Sequence, residues 1–357
     1  MKPFQGFLIE KNGTAKELKY HEIESVDKDN KILWLHFDYT SKEAKDWIRN
    51  SSNIDSVAVE ALLTDETRPR TIVLNDALLI ALRGVNLEPN SKPEKMISIR
   101  IFISSNVIIS TSRKNILSVI EISENLKKGK GVKSSSEFLV ELTYRMIDRM
   151  DSVIDKIEDR ADFLEENIIE SEHNTAFRTE ILKIRRESII LKRYLTPQKE
   201  ALVKLYNEKL SWIDDYQKIE LRETTDQLIR HIEELDTIRD KVILFQEELV
   251  NSLTEQMNKK MYILAILSAI FLPLTFLTGL LGINVGGIPG ANHENAFYIF
   301  IAILLCIVGF QFFIFKKNYL KIDSKFDILG SQFIFEYDSK FKKKSYKAIV
   351  QTKKLPI

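Results

Sequence analysis

The chain has 357 residues, which leaves room for two domains, and its formal net charge of +1 is close to neutral. Hydrophobic residues make up 44% and charged residues 29%, as in an ordinary soluble protein, but two long C-terminal runs contain no charge at all. The single cysteine, Cys306, excludes an intrachain disulfide and is expected to serve packing.

Residues 1–125 predict an α/β or α+β cytosolic domain. Short β-rich runs, among them FQGFLIE, KILWLHFDY and MISIRIFIS, alternate with short helical stretches that follow the N-cap candidates Ser41 and Ser52. The first 40 residues contain no apolar run of signal-peptide type. This domain is therefore expected to remain in the cytoplasm.

Residues 126–260 predict long cytosolic helices, both lateral helices and a stalk. The basic stretch NLKKGKGVKSSS at 125–136 is interpreted as a flexible linker before them. Glycine is absent from 132–278, and Pro197 is the only proline in that region before Pro273, so little interrupts a helix there. Three helices are predicted, at about 136–170, 174–211 and 214–281.

Two further features mark these helices. In the third, apolar residues recur at steps of three, four or seven and form a coiled-coil-like seam. The seam consists of Leu221, Leu228, Ile232, Leu235, Ile238, Val242, Phe245, Leu249 and Leu253.

Between positions 148 and 172 there are ten acidic residues against three basic ones. A solvated helix face is the favoured interpretation of these acids, and a sensor for divalent cations is the alternative.

A hairpin of two transmembrane helices is predicted near the C-terminus. The uncharged runs 261–292 and 296–315 are each long enough to cross a bilayer, which takes ~20 apolar residues. We expect a first span at 261–284, an external loop at 285–295, a second span at 296–315 and a basic cytosolic tail at 316–357. Lysines flank the hairpin on both sides and place both termini in the cytoplasm; they are Lys259, Lys260, Lys316, Lys317 and Lys321.

One face of the first span carries a regular set of side chains. The set recurs at steps of three and four, and its only polar members are two hydroxyl residues. We call it the stripe; it consists of Met261, Leu264, Ser268, Leu272 and Thr275. Helix–helix packing is one interpretation, because small and hydroxyl residues are common at membrane helix contacts. A pore wall is the other.

The glycine-rich sequence GLLGINVGGIPG, at 279–290, directly follows this span. Non-helical backbone at membrane depth is tolerated only where it is buried in protein or lines a water-filled cavity. Its carbonyl groups and the amide of Asn284 could form a ring of oxygen dipoles at a pore mouth. Because one chain with two spans cannot enclose a pore, this interpretation requires a symmetric oligomer.

These segments resemble the CorA-type metal-ion transporter superfamily, in which a Gly-x-Asn tripeptide ends the pore helix. The resemblance rests on FLPLTFLTGLLGINVGGIPG together with KILWLHFDYT, ETRPR, LIALRGVN, MISIRIFIS and VIISTS. The combination, over residues 1–321, is similar to the ZntB-like zinc-transporter branch. It implies a funnel-shaped homopentamer with an α+β cytosolic domain, long stalk helices, five first spans around the pore and the second spans outside them.

The resemblance also implies roles for individual residues. Gly282, Ile283 and Asn284 match the filter tripeptide, with Asn284 as the first ligand of an incoming hydrated ion. The pore-lining positions of the family match Met261, Leu264, Leu272 and Thr275, while Ser268 joins them by spacing alone. Ile283 replaces the methionine that is commonest in the magnesium branch. The chain also continues beyond the usual family end, from 325 to 357, as a basic tail that is either solvated or bound to anionic lipid.

The predicted function is transport of a divalent metal cation, most of all zinc, with magnesium, cobalt or nickel as alternatives. The preference for zinc as the transported ion rests on the resemblance, because the five histidines are scattered along the sequence and predict no zinc cage. His293 and Glu294 could attract cations outside the membrane or could simply form the turn between the spans. No resident cofactor and no nucleic-acid partner are expected, only further copies of the chain, membrane lipid and the transported ion.

Two other classes of protein are alternatives to a transporter. No Walker loop, no HExxH motif and no Ser-His-Asp-like cluster occurs in the sequence, so an enzyme is not predicted. A membrane-anchored coiled-coil structural protein is the stronger rival, because long helices and two spans would serve it. Such an anchor would not need the Gly-Ile-Asn loop. The expected location is a bacterial-type inner membrane.

Overall fold

The computed structural model describes residues 4–27, 29–65, 67–86, 95–113, 115–167, 175–283, 288, 290 and 293–330, with the backbone alone at residues 175 and 316–330. The chain divides into two compact units, Met1–Ser252 and Leu253–Ile357.

Seven strands and seven α-helices make up the described chain. The first unit begins with β1 (Phe4–Ile9), β2 (Ala15–Leu18), β3 (Ile32–Asp38), α1 (Lys42–Asn50), α2 (Ser56–Leu63), β4 (Arg70–Leu74), β5 (Ala77–Gly84), β6 (Ile97–Ile103), β7 (Val107–Ser112) and α3 (Leu117–Lys127). The long helices follow as α4 (Ser135–Asn167), α5 (Thr175–Asn207), α6 (Asp215–Leu281) and α7 (Ala296–Gly330).

The strands form one mixed sheet in the order β2-β1-β3-β7-β6-β5-β4. Every neighbouring pair is antiparallel except β3 and β7, which pair in parallel at the centre, with Trp34 opposite Ile108. Six of the seven residues of β3 are buried. That continuous burial fits a central strand that is covered on both faces.

Each face of the sheet has its own hydrophobic cluster, because successive strand residues point to opposite sides. On one face, Leu33, Leu35 and Phe37 pack with the buried side chains of α1 and α2. On the other, Phe7 and Trp34 belong to a larger cluster that continues into α3, α4, α5 and α6. The first unit is therefore an α+β layered fold whose sheet shares one core with α4, α5 and the part of α6 in this unit.

One of the two predicted helix starts is correct and the other is wrong. Ser41 caps α1, where its Oγ accepts a hydrogen bond of 3.1 Å from the backbone N–H of Ala44. The hydroxyl of Ser52 instead donates to the carbonyl of Ile48, at 2.6 Å. The cap of α2 is Asp55, whose carboxylate accepts from the N–H of the second helical residue, as aspartate at an N-cap ordinarily does.

The basic stretch after α3 lies against the turn between β1 and β2. The N–H of Gly131 donates to the carbonyl of Gly13 at 3.0 Å. Gly13 has a φ of +85°, and a Cβ there would lie 2.7 Å from the carbonyl oxygen of Gly131. Only glycine combines this backbone conformation with so close an approach.

The three long helices lie close to their predicted positions, and the seam has a clear partner. Leu221, Leu228, Leu235, Ile238 and Val242 are buried in the same cluster as the sheet and α4. Ion pairs reinforce this packing: Lys192 of α5 lies 2.6 Å from Asp236 and Lys241 lies 3.0 Å from Asp162 of α4. These five residues of the seam are therefore core of their own unit, whereas Leu253, at the end of the seam, is 45% exposed.

Candidate functional site

In the part of the chain that the structure describes, two helical segments are long and apolar enough to cross a membrane. One lies in α6, and the other is Ala296–Phe315 of α7. In both segments, the most apolar stretch of residues is not buried inside the chain. Residues 261–281 and 296–315 are therefore helical, and their most apolar parts are uncovered in the single chain. α6 ends at Leu281, as the predicted helix 214–281 does.

The stripe lies on an uncovered face of α6. Met261, Leu264 and Leu272 are 61%, 65% and 75% exposed, and Ser268 and Thr275 are exposed too. On the opposite face the side chains are only half exposed; these are Tyr262, Ile266, Ile270, Pro273 and Leu277. At ~100° of rotation per residue the two sets lie roughly 180° apart around the helix. The stripe is therefore free to meet water or another copy of the chain.

The first residues of the expected filter lie at the end of α6. The N–H of Gly282 donates to the carbonyl of Thr278 at 2.9 Å and closes the last turn. A Cβ at Gly282 would lie 2.8 Å from that carbonyl oxygen, so the turn favours glycine. Ile283 follows, half exposed. Asn284 lies outside the described residues, and its predicted role as first ligand remains a prediction.

His293 and Glu294 directly precede α7. The ring Nδ1 of His293 lies 3.2 Å from the backbone N–H of Asn295 and accepts its hydrogen bond. The carbonyl of His293 accepts a second bond, of 3.0 Å, from the N–H of Ala296. Both bonds belong to a turn that starts the helix, as the simpler interpretation of these residues expects. Glu294 is exposed beside it.

One polar contact joins the two candidate spans, and it was not predicted from the sequence. The side-chain amide of Gln311 in α7 donates to the backbone carbonyl of Ala269 in α6, at 3.1 Å. Pro273 stands four residues after Ala269 and has no N–H to offer that carbonyl. The signals in the sequence were one amide inside an apolar run and one proline inside another.

Some acids of the acidic stretch of α4 contact basic side chains of α6. Asp162 and Glu165 lie 3.0 and 3.8 Å from Lys241, and Asp151 lies 3.0 Å from the Nε2 of buried His231. Within the described residues, no group of three or more His, Cys, Asp or Glu side chains could hold a metal ion. The described acids thus act in part as partners of α6.

Two named proteins and one solved structure are similar to this chain over most of its length. The divalent cation transporter CmaX of Pseudomonas aeruginosa is 36% identical over 314 residues, covering 87% of this chain and 95% of that protein. The zinc transport protein ZntB of Pectobacterium carotovorum is 34% identical over 286 residues, covering 80% and 87%. The solved structure of the full-length CmaX protein gives a TM-score of 0.78 at 35% identity, covering 89% of this chain and 98% of that one.

The resemblance to the CorA-type superfamily is confirmed by a match to the family as a whole. The sequence model of the CorA-like Mg²⁺ transporter protein family matches residues 29–317, which include the sheet from β3 onward, the long helices and both candidate spans. The chain therefore belongs to the CorA-like Mg²⁺ transporter protein family.

Proposed function

We propose that this chain transports divalent cations across a membrane through a pore that several copies form together. The observation that carries the proposal is the uncovered stripe on α6, which leads directly to Gly282, where the helix ends. Within the described residues, α7 contacts α6 through Gln311 and Ala269, and the side chains of the stripe are exposed. One chain cannot close a pore, so further copies must complete the wall.

Roles for the site residues follow from this arrangement. Ser268 and Thr275 would offer hydroxyl oxygens along the wall, while Met261, Leu264 and Leu272 would form an apolar constriction. The carbonyls of the Gly-Ile-Asn tripeptide and the amide of Asn284 would hold the hydration shell of an entering ion. Such oxygen dipoles suit a hydrated divalent cation better than a naked one.

Zinc is the cargo we propose, and the support is comparative. The relatives include zinc transport proteins and a divalent cation transporter, although the family itself is described by Mg²⁺. A hydrated ion in transit needs no tetrahedral cage of the kind a resident zinc has. The scattered histidines therefore do not count against zinc as a substrate.

We propose five copies around the pore, with both termini in the cytoplasm. The number comes from the superfamily resemblance, and the orientation comes from the lysines on both sides of the hairpin. His293 and Glu294 would then stand outside the membrane, near the entrance. The Nδ1 of His293 already accepts a hydrogen bond within the turn. We therefore expect Glu294 to provide most of the attraction for cations.

The rival proposal, a membrane-anchored coiled coil, is disfavoured by the seam. A coiled coil between chains needs an apolar face that is free to meet its partner. Leu228, Leu235 and Val242 are instead buried in the core of their own unit. The exposed face of the cytosolic part of α6 carries charged residues, including Glu223, Arg230 and Glu233.

The test is ion flux into liposomes that contain the purified protein. Uptake of Zn²⁺, Mg²⁺, Co²⁺ and Ni²⁺ is compared at equal protein content, with and without a pH gradient. We expect Zn²⁺ uptake above that of empty liposomes and above that of the other three ions. Absence of uptake for all four would refute transport, and stronger uptake of Mg²⁺ would refute zinc as the cargo.

A further inference from the structure

Pro273 leaves one backbone carbonyl of α6 without its helical donor. In an α-helix the N–H of residue i donates to the carbonyl of residue i−4. Proline has no N–H, so the carbonyl of Ala269 receives no bond from position 273. The hydrocarbon of a bilayer offers no water to replace that bond, and an unsatisfied carbonyl there is costly.

Gln311 provides the missing donor from the other candidate span. Its Nε2 lies 3.1 Å from the carbonyl oxygen of Ala269. Because a carbonyl can only accept, the NH₂ group of the amide must face it. Gln311 is also the only amide side chain in the apolar segment 296–315. The contact therefore satisfies the carbonyl of Ala269 and the NH₂ group of Gln311, while the Oε1 of Gln311 has no hydrogen-bond partner among the described residues.

The position of this bond relative to the stripe gives it a function. Without a proline N–H, the turn between Ala269 and Pro273 is held less tightly than an ordinary helical turn and is a place where α6 can bend. Leu272 lies inside that turn and Thr275 follows two residues after it. A bend there would move both side chains against the rest of the stripe.

We propose that Gln311 is a positioning residue, which fixes the proline-opened turn of α6 against α7 and so sets where Leu272 and Thr275 stand in the pore. This inference rests on the proposed function, because it takes the stripe as the pore wall. Its structural half, a bond that exists only because of the proline, can be tested apart from transport.

A double-mutant cycle tests the dependence on proline. Gln311→Leu is measured in the wild-type and in the Pro273→Ala background, where the helix recovers its own N–H donor. We expect Gln311→Leu to lower Zn²⁺ flux per assembled oligomer roughly threefold or more in the wild-type background, about 0.6 kcal/mol for a bond in a membrane. In the Pro273→Ala background the change should stay below about twofold. Equal changes in both backgrounds would overturn the proposal.

Thermal unfolding of the same four proteins in detergent gives a second readout that needs no transport. Gln311→Leu should lower the midpoint clearly more in the wild-type background than in the Pro273→Ala background. If the wild type carries no ion but the midpoints show this pattern, the proposed function fails and the bond survives. If the wild type carries ions but Gln311→Leu changes the midpoint and the flux equally in both backgrounds, the inference fails and the proposed function stands.

If Pro273→Ala assembles poorly, one further variant tests the donor role of Gln311 and a second serves as its control. Gln311→Glu keeps the length of the side chain, and in an apolar setting its neutral carboxyl group can still donate. Its flux should therefore lie nearer to wild type than that of Gln311→Leu, and a loss as large as with leucine would refute the donor role. Tyr298→Phe removes another polar group from α7, at an exposed position, and should leave flux within about twofold of wild type.

Discussion

Replacement of Leu272 by serine should raise basal ion flux without unfolding the protein. In a narrow pore a ring of leucines excludes water and so blocks an ion without touching it. Serine would wet that ring. A tenfold rise in flux would require a barrier reduced by only ~1.4 kcal/mol, which we take as the expected order of magnitude.

The structure sets the cost of this change to the single chain. Leu272 is 75% exposed, so only about a quarter of its side chain is covered by its own chain. Full burial of a leucine contributes ~1.5–3 kcal/mol, and the loss inside one chain is therefore about 0.5 kcal/mol. Assembly should survive, because the substitution removes little packing.

Leu277 provides the matched control in the same helix. It lies five residues after Leu272, about 140° away around the helix, on the half-covered face. Flux per assembled oligomer is measured for Leu272→Ser, Leu277→Ser and wild type in liposomes. Only Leu272→Ser should raise flux. If Leu272→Ser assembles normally but carries wild-type flux or less, the apolar constriction does not exist at that position.

Three further predictions concern assembly and the first unit. Native mass spectrometry in detergent should show mainly pentamers, and mainly monomers or dimers would contradict the proposed pore. Leu235→Ala, at a fully buried seam position, should lower the free energy of unfolding by ~2–5 kcal/mol, whereas Leu244→Ala, at a 62% exposed position, should cost far less; equal costs in urea unfolding would mean that the seam is not core. Burial lowers the pKa of His36 to about 4 from 6.5, against a weaker opposing effect of Asp38. The unfolded state then binds more protons, so stability should be complete above pH 6.5 and fall by ~3 kcal/mol towards pH 4; His36→Gln should flatten that decline in tryptophan fluorescence, and an unchanged decline would show that another group causes it.

The long helices could be predicted from the sequence because their limits depend on local chemistry. Glycine is absent between 132 and 278, and α6 accordingly runs from Asp215 to Leu281, close to the predicted 214–281. The stripe could be found for the same reason, since a helical period places its members on one face. Asn284, which carries the filter hypothesis, lies outside the described residues, so that part rests on the sequence alone.

Features that join distant parts of the chain could not be predicted in this way. The parallel pair β3 and β7 is separated in the chain by two helices and three strands, and no local signal fixes such a pairing. The bond from Gln311 to Ala269 depends on the register of two helices, which neither apolar run reveals. Ser52 shows a smaller failure, because its hydroxyl can serve the helix before it or the helix after it.

The most direct test of the account is Zn²⁺ uptake by liposomes that contain Asn284→Ala, compared with wild type at equal oligomer content. Asn292→Ala, in the same predicted external loop, is the matched control. The account predicts that wild type and Asn292→Ala take up Zn²⁺ and that Asn284→Ala, although assembled, does not. Wild-type uptake by an intact Asn284→Ala oligomer would contradict the proposed filter.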